Sequence, residues 1–427
     1  MYIYLLLLCE FALLLVGYEL FDRDIFAPPV ITTIVFCIAT ILVIPSIELW
    51  NVKISTITIL VIFVGISSCI VASMFAKILF GKKNISTDKR GHIRYINCHK
   101  SVRCIIIFIS CILTVLYFIE AIRVGEHYGG TGFGAIGYMK DAYVNQNVNV
   151  IRMNIFIRQG FKFVMAISYI SSFVFANNFL VLHSGVKDNL YNIISIFCGC
   201  AITIFSGSRT DVIRIISAII ISYSFLQREY FNWRVQENSK QLLRAIKKFL
   251  PLLIAAAAVA FASKNYVKVK GTGGSEISTI IGYLSFYLGS PIQVLNTKLA
   301  FFNGVKELLF GTEQVIPTFV YLGELDYGGN VATILNACFR FNGVIRMSIY
   351  LSVVYFIGTA FYYRLYGSRS SYKRNLKLII FSFVYFIFTM SYYADCSMML
   401  FQFSNIFVIL LIVILYKPFM RLQIKLK

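Results

Sequence analysis

The sequence predicts an all-α, polytopic integral membrane helical bundle, and three observations predict it. Apolar runs close to the ~20 residues that cross a bilayer core recur along the whole chain. Only 14% of the residues are charged and 58% are hydrophobic, whereas a soluble domain carries about 25% charged residues. The basic residues gather in short connections between apolar runs, which is the positive-inside pattern of membrane proteins. A membrane β-barrel would instead alternate polar and apolar residues in segments of about 10. The net charge of +21 would suggest nucleic acid in a soluble chain; its placement between spans argues against nucleic-acid binding here.

The apolar runs lie at 2–20, 29–47, 55–80, 104–120, 156–182, 190–205, 211–226, 249–263, 343–363, 378–392 and 399–416, which predicts about 11 transmembrane helices. Met1 opens directly into the first run with no basic n-region and no small-residue cleavage site, so that run reads as a span and not as a cleaved signal. Pro28-Pro29 marks the start of the second span. Residues 121–154 contain Gly129-Gly130-Thr131-Gly132-Phe133-Gly134 and read as a loop with a short interfacial helix around 139–144. Residues 264–341 form the longest stretch without a span; within it, 278–288 is apolar but short, as in a re-entrant or interfacial helix. No linker, repeat or soluble domain interrupts the chain, so 1–427 reads as a single transmembrane domain with 264–341 as a large extracytoplasmic loop inside it. Most of the ten cysteines lie inside apolar runs, where they act as small hydrophobes.

Four basic segments, 81–103, 227–248, 364–377 and 417–427, hold 22 of the 40 Lys and Arg. Each pair is separated by an even number of predicted spans, so all four fall on one side, the cytoplasm. The N-terminus then lies outside, the C-terminus inside, and residues 121–154, 206–210 and 264–341 face away from the cytoplasm.

Candidate chemistry centres on the turn Ser206-Gly207-Ser208-Arg209-Thr210-Asp211 and on Arg214 one turn further. A helix start with free N–H groups beside Arg209 suits an anion such as a phosphate or diphosphate. Arg209 could instead reach the headgroups, and Arg214 could be a second clamp or an i,i+3 partner of Asp211. Lys264, Lys268 and Lys270 precede Gly271-Thr272-Gly273-Gly274, a weak phosphate signal that reads equally as a solvated loop. Glu324 and Asp326 are the carboxylates of the long loop best placed to take a proton from a hydroxyl, or else plain turn residues. Arg158, Arg340 and Arg346 are further cations on that face. The four histidines, His92, His99, His127 and His183, show no ligand spacing. No metal and no cofactor is expected.

The architecture resembles that of the Wzy-type oligosaccharide repeat-unit polymerases of O-antigen and capsule synthesis. The similarity is carried by Gly207-Ser208-Arg209-Thr210 between two central spans, by Phe310-Gly311 followed by Pro317, and by Gly328-Gly329 leading to Phe341-Asn342-Gly343. Where many members of the family carry an acid before that last element, this chain has Asn336, which moves the acid role towards Glu324 or Asp326. The resemblance implies a GT-C-like glycosyltransferase of the bacterial inner membrane, independent of metal. Its substrate would be undecaprenyl diphosphate-linked oligosaccharide, its surroundings membrane lipids, and its protein partner a chain-length regulator. It implies Glu324 or Asp326 as the catalytic base, and Arg209, Arg214, Arg158, Arg340 and Lys268 as ligands of the diphosphate and glycan. A ligase moving finished glycan to another acceptor, or a flippase for the lipid-linked oligosaccharide, would share much of this architecture. A flippase would place its charges inside the bundle, with short loops on both faces.

Overall fold

The computed structural model describes residues 2–81, 93–97, 100–145, 151–208, 210–231, 280–317, 319–322, 328–329, 331–366, 368 and 371–421. Among them helices dominate, and the strands are one antiparallel pair of two residues each, Val320–Tyr321 (β1) and Gly328–Gly329 (β2). Eight helices are long and apolar enough to cross a membrane, so the protein is an all-α, multi-pass membrane protein. They account for eight of the eleven expected spans; the span expected at 249–263 lies outside the described residues.

The chain divides into two compact units, each assembled from separated stretches. The first comprises Met1–Lys83, Glu276–Tyr366 and Ile387–Met398. It contains α1 (Tyr2–Leu20), α2 (Pro28–Val43), α3 (Thr56–Phe80), α10 (Val305–Phe310), α11 (Ala337–Arg340) and α12 (Val344–Leu365). It also contains α9 (280–299), in which Ile280–Leu284, a wide π-turn at Ser285–Gly289 and Ser290–Leu299 follow without a break. Lipid tails are as apolar as leucine, so helices in a bilayer associate through close packing and interhelical hydrogen bonds. Here Ser73 of α3 shares a hydrogen bond of 2.8 Å with Thr359 of α12, and Thr32 of α2 one of 2.6 Å with Tyr355. The Arg364 guanidinium lies 4.5 Å from the centre of the Phe80 ring. Pairs 73/359 and 80/364 advance together, so α3 and α12 run parallel. Both finish in basic segments, as the even spacing of those segments requires.

The second unit comprises Asn84–Ser275, Gly367–Phe386 and Met399–Lys427. Its helices are α4 (Lys100–His127), α5 (Ala135–Asn145), α6 (Ile155–Phe175, continued by a π-turn at Ala176–Val181), α7 (Val186–Phe205), α8 (Thr210–Tyr230), α13 (Tyr372–Val384) and α15 (Phe403–Arg421). The most apolar window of α6 is 89% buried, against 28% for α4, so α6 is the central helix of this unit. Its far end is pinned to the first basic segment: Asn177 donates to Arg94 O at 3.0 Å and Asn178 to Ile96 O at 2.7 Å. Glu229, at the end of α8, pairs with Arg374 of α13 at 3.3 Å, and the Tyr416 hydroxyl of α15 donates to Tyr372 O at 3.1 Å. The second and third basic segments and the C-terminal end of α15 are thereby tied together.

Three expectations need correction. Residues 121–127, expected as loop, continue α4: Arg123 pairs with Glu120 at 2.6 Å, and Gly125 lets Ala135 approach its backbone more closely than any Cβ would permit. The short apolar element expected at 278–288 is the first half of α9, which runs to 299 because Gly289 seats directly on the backbone of Leu42 and Val43. The span expected at 378–392 ends as a helix at Val384. A four-residue helix, α14 (Phe386–Thr389), follows, and then irregular backbone to 397.

Candidate functional site

That irregular stretch holds the most unusual chemistry of the first unit. Between Lys377 and Lys417 the sequence has a single charged residue, Asp395. Non-helical backbone at membrane depth persists only where protein buries it or where it lines a water-filled cavity. Here Ser391, Tyr392, Asp395, Cys396 and Ser397 are all buried, and Ile334 N donates to Ser391 O at 2.6 Å. The partner segment is a pair of short helical turns, 334–336 and α11. Leu335, in the 3-10 turn Ile334–Asn336, packs on Gly65 of α3, where any side chain would collide with it.

Asp395 is the focus of four donors. Arg340 Nη1 lies 2.5 Å from its Oδ2, the Tyr350 hydroxyl 3.2 Å from each carboxylate oxygen, and Ser397 N 3.2 Å from Oδ1; the Ser397 hydroxyl also bonds it. The carboxylate side chain is 1% exposed and the Arg340 side chain 39%. A buried carboxylate is tolerated only when paired and hydrogen-bonded, as this one is. The consequence is geometric. One edge of the guanidinium is fixed by a buried anion, and among the described residues its other N–H donors have no acceptor, which suits them to meet an anion outside. Tyr350 is the seventh residue of α12, so the cluster sits in the first third of that helix, away from its basic end.

The three short elements that carried the family resemblance in this region belong to the same unit. Gly311 and Gly343 have φ of 107° and 125°, where glycine alone is at ease. They let the chain at 310–311 meet 342–343: Asn342 Oδ1 accepts from Thr312 N at 2.8 Å, and a Cβ at Gly343 would strike Leu309 O. Gly328 and Gly329 form β2, and Gly329 sits against Val294 of α9. In sequence, Glu324 and Asp326 lie between β1 and β2; both are outside the described residues. Asn336 is half-buried at the start of α11. Arg346 is exposed and donates to Phe341 O at 3.4 Å. Lys298 of α9 is 5% exposed, burial pushes its ammonium below the ordinary lysine range, and no acid among the described residues pairs with it. Burial pushes the Cys338 thiol up to about 12, so it is no nucleophile at neutral pH.

In the second unit, the turn expected to hold an anion is a Schellman cap on α7. Ser208 N donates to Thr203 O and Gly207 N to Ile204 O, with Gly207 at φ 77°. Lys140 of α5 donates to Gly207 O at 2.6 Å. Arg209 lies outside the described residues, as does Lys268. Arg214 takes the partner reading: it pairs with Asp211 at 2.6 Å, donates to Asn405 at 3.4 Å and stacks 3.9 Å from the centre of the Phe386 ring. Arg158 is exposed in the first turn of α6. Arg340 thus belongs to one unit and Arg158 and Arg214 to the other.

Asp395, Tyr350 and Ser397 were not reached from sequence. The available signal was the lone charged residue of the 39-residue stretch 378–416. Comparison with protein-family models, with curated proteins and with solved structures finds no match.

Proposed function

We propose that the protein is a glycosyltransferase that joins oligosaccharide repeat units carried on undecaprenyl diphosphate, at the extracytoplasmic face of a bacterial inner membrane. The observation that carries this reading is the half-exposed Arg340 held by the buried Asp395, beside the end of α12 opposite its basic segment. By the positive-inside rule that end faces away from the cytoplasm, where lipid-linked glycan is polymerised. In the reaction, negative charge develops on the departing diphosphate, and fixed cations there lower the barrier. In this proposal Arg340 is such a cation, Arg209, Arg158 and Lys268 are the other candidates for the role, and Arg214 holds Asp211 in place. The acceptor hydroxyl loses its proton to Glu324 or Asp326. Asp395 is a positioning residue: its carboxylate is already saturated by Arg340, Tyr350 and Ser397, so it orients the arginine and leaves the proton transfer to the loop acids.

The test is the surface polysaccharide of cells carrying Arg209→Ala or Arg340→Ala. Each variant is expected to leave single repeat units on the lipid while the protein still inserts. An unchanged ladder for either removes that residue from the site. Loss of all repeat units from the acceptor would favour a ligase or flippase.

A further inference from the structure

A second anion site is suggested by Lys162, which the reaction above does not use. It lies in α6, one turn after the exposed Arg158 and on the same helix face. A lysine near a span end ordinarily extends its stem so that the ammonium reaches water. Lys162 does not: it is 8% exposed, and its Nζ is covered by two rings of α15, 5.6 Å from the centre of Phe403 and 5.2 Å from that of Phe407. Among the described residues no carboxylate or other acceptor bonds it. Ring faces attract a cation but do not neutralise it, and an ammonium taken from water without a counter-ion is strongly disfavoured. The ring that covers it is itself largely exposed. Phe403 is 74% exposed, with Phe401 at 77% and Phe156, at the start of α6, at 81%. A partner arriving at Lys162 from that side passes exposed aromatic rings, a surface suited to hydrocarbon. The first N–H groups of α15, in the same turn as Phe403, add a favourable field for negative charge.

We infer that Arg158 and Lys162 bind the phosphate headgroup of a membrane lipid, with Phe403 and Phe407 against its chain. Phosphate meets the two cations, and the rings, displaced from the ammonium, pack on hydrocarbon. This inference shares Arg158 with the proposed reaction but rests on Lys162, which that reaction does not use, and it concerns any lipid with a phosphate and requires no glycan.

The probe is dioleoyl phosphatidate, added to the purified full-length protein in neutral detergent, with binding followed by native mass spectrometry. Dioleoylglycerol supplies the chains without the phosphate, and inorganic phosphate the headgroup without the chains. Phosphatidate is expected to bind, dioleoylglycerol not to. Lys162→Met is expected to weaken phosphatidate about fivefold, the effect of one lysine near a lipid surface, and Lys162→Arg to restore it. Phe403→Ser should weaken phosphatidate without affecting inorganic phosphate. Equal affinity of wild type and Lys162→Met overturns the inference. Inorganic phosphate binding as tightly as phosphatidate overturns the lipid assignment and leaves a free-anion site. Because no glycan is present, failure of the polymerase reading leaves this result unchanged.

Discussion

Replacing Arg340 by Met tests whether Asp395 holds it. The carboxylate is 1% exposed and the guanidinium 39%. Removing one partner of a fully buried ion pair costs about 3–5 kcal/mol, because the other charge is left without compensation. Two features reduce that figure here. Water already solvates part of Arg340, and Tyr350 and Ser397 continue to donate to Asp395 after the arginine is gone. About 2 kcal/mol is therefore expected for Arg340→Met, and about 2 kcal/mol for Asp395→Asn, which leaves the arginine without its anchor. If the two residues act on stability mainly through each other, the double variant loses about 2 kcal/mol and not about 4, a coupling of about 2 kcal/mol. The assay is urea unfolding in detergent, following the fluorescence of Trp50, a residue of the same unit that is 2% exposed. Losses that add to within about 0.5 kcal/mol would refute the reasoning, since independent sites behave that way.

Lys298 offers a pH test. Its pKa is lowered from 10.5 by burial, so the folded state binds protons less readily than the unfolded chain. The burial penalty is present in full below the lowered pKa and fades as pH rises towards 10.5. Lys298→Met is expected to raise the unfolding free energy at pH 7 by about 1 kcal/mol, with a smaller gain at pH 10; a gain independent of pH would contradict the assignment. Reporter fusions at residues 95, 240 and 370 are all expected to read cytoplasmic, and a single outside reading would break the common placement of the basic segments. Gly343→Ala is expected to cost about 2 kcal/mol or more, by backbone strain at φ 125° and by collision with Leu309 O; a loss under about 0.5 kcal/mol in the same unfolding assay would count against that packing.

What the sequence made legible was the part governed by hydropathy and turn chemistry. The span expected at 2–20 is α1 residue for residue, and Ser55 caps α3 by accepting from Thr58 N at 3.1 Å. The parallel course of α3 and α12 follows from where Lys and Arg fall in the chain. Hydropathy carried the span at 378–392 past its helical end, because an apolar sequence reads as a span whether the backbone is helical, as up to Val384 and over Phe386–Thr389, or irregular and buried by neighbouring protein, as beyond. It also could not reveal the Arg340–Asp395 pair, whose members are 55 residues apart. Their meeting depends on the short turns and loops at 331–343 and the irregular segment 390–397 folding onto each other, a tertiary event with no local signature. The i,i+3 spacing of Asp211 and Arg214 was visible, and that pair formed. Lys162 passed unremarked because one lysine in a long apolar run looks like a span end; only its covering rings distinguish it.

The central claim is tested most directly by reconstitution. The purified protein, in vesicles, is supplied with undecaprenyl diphosphate-linked repeat units isolated from cells of its source that lack this gene. The account predicts a ladder of products spaced by the mass of one repeat unit, with undecaprenyl diphosphate released in step with each addition. Repeat units that remain single, or that cross the vesicle membrane without being joined, would contradict it.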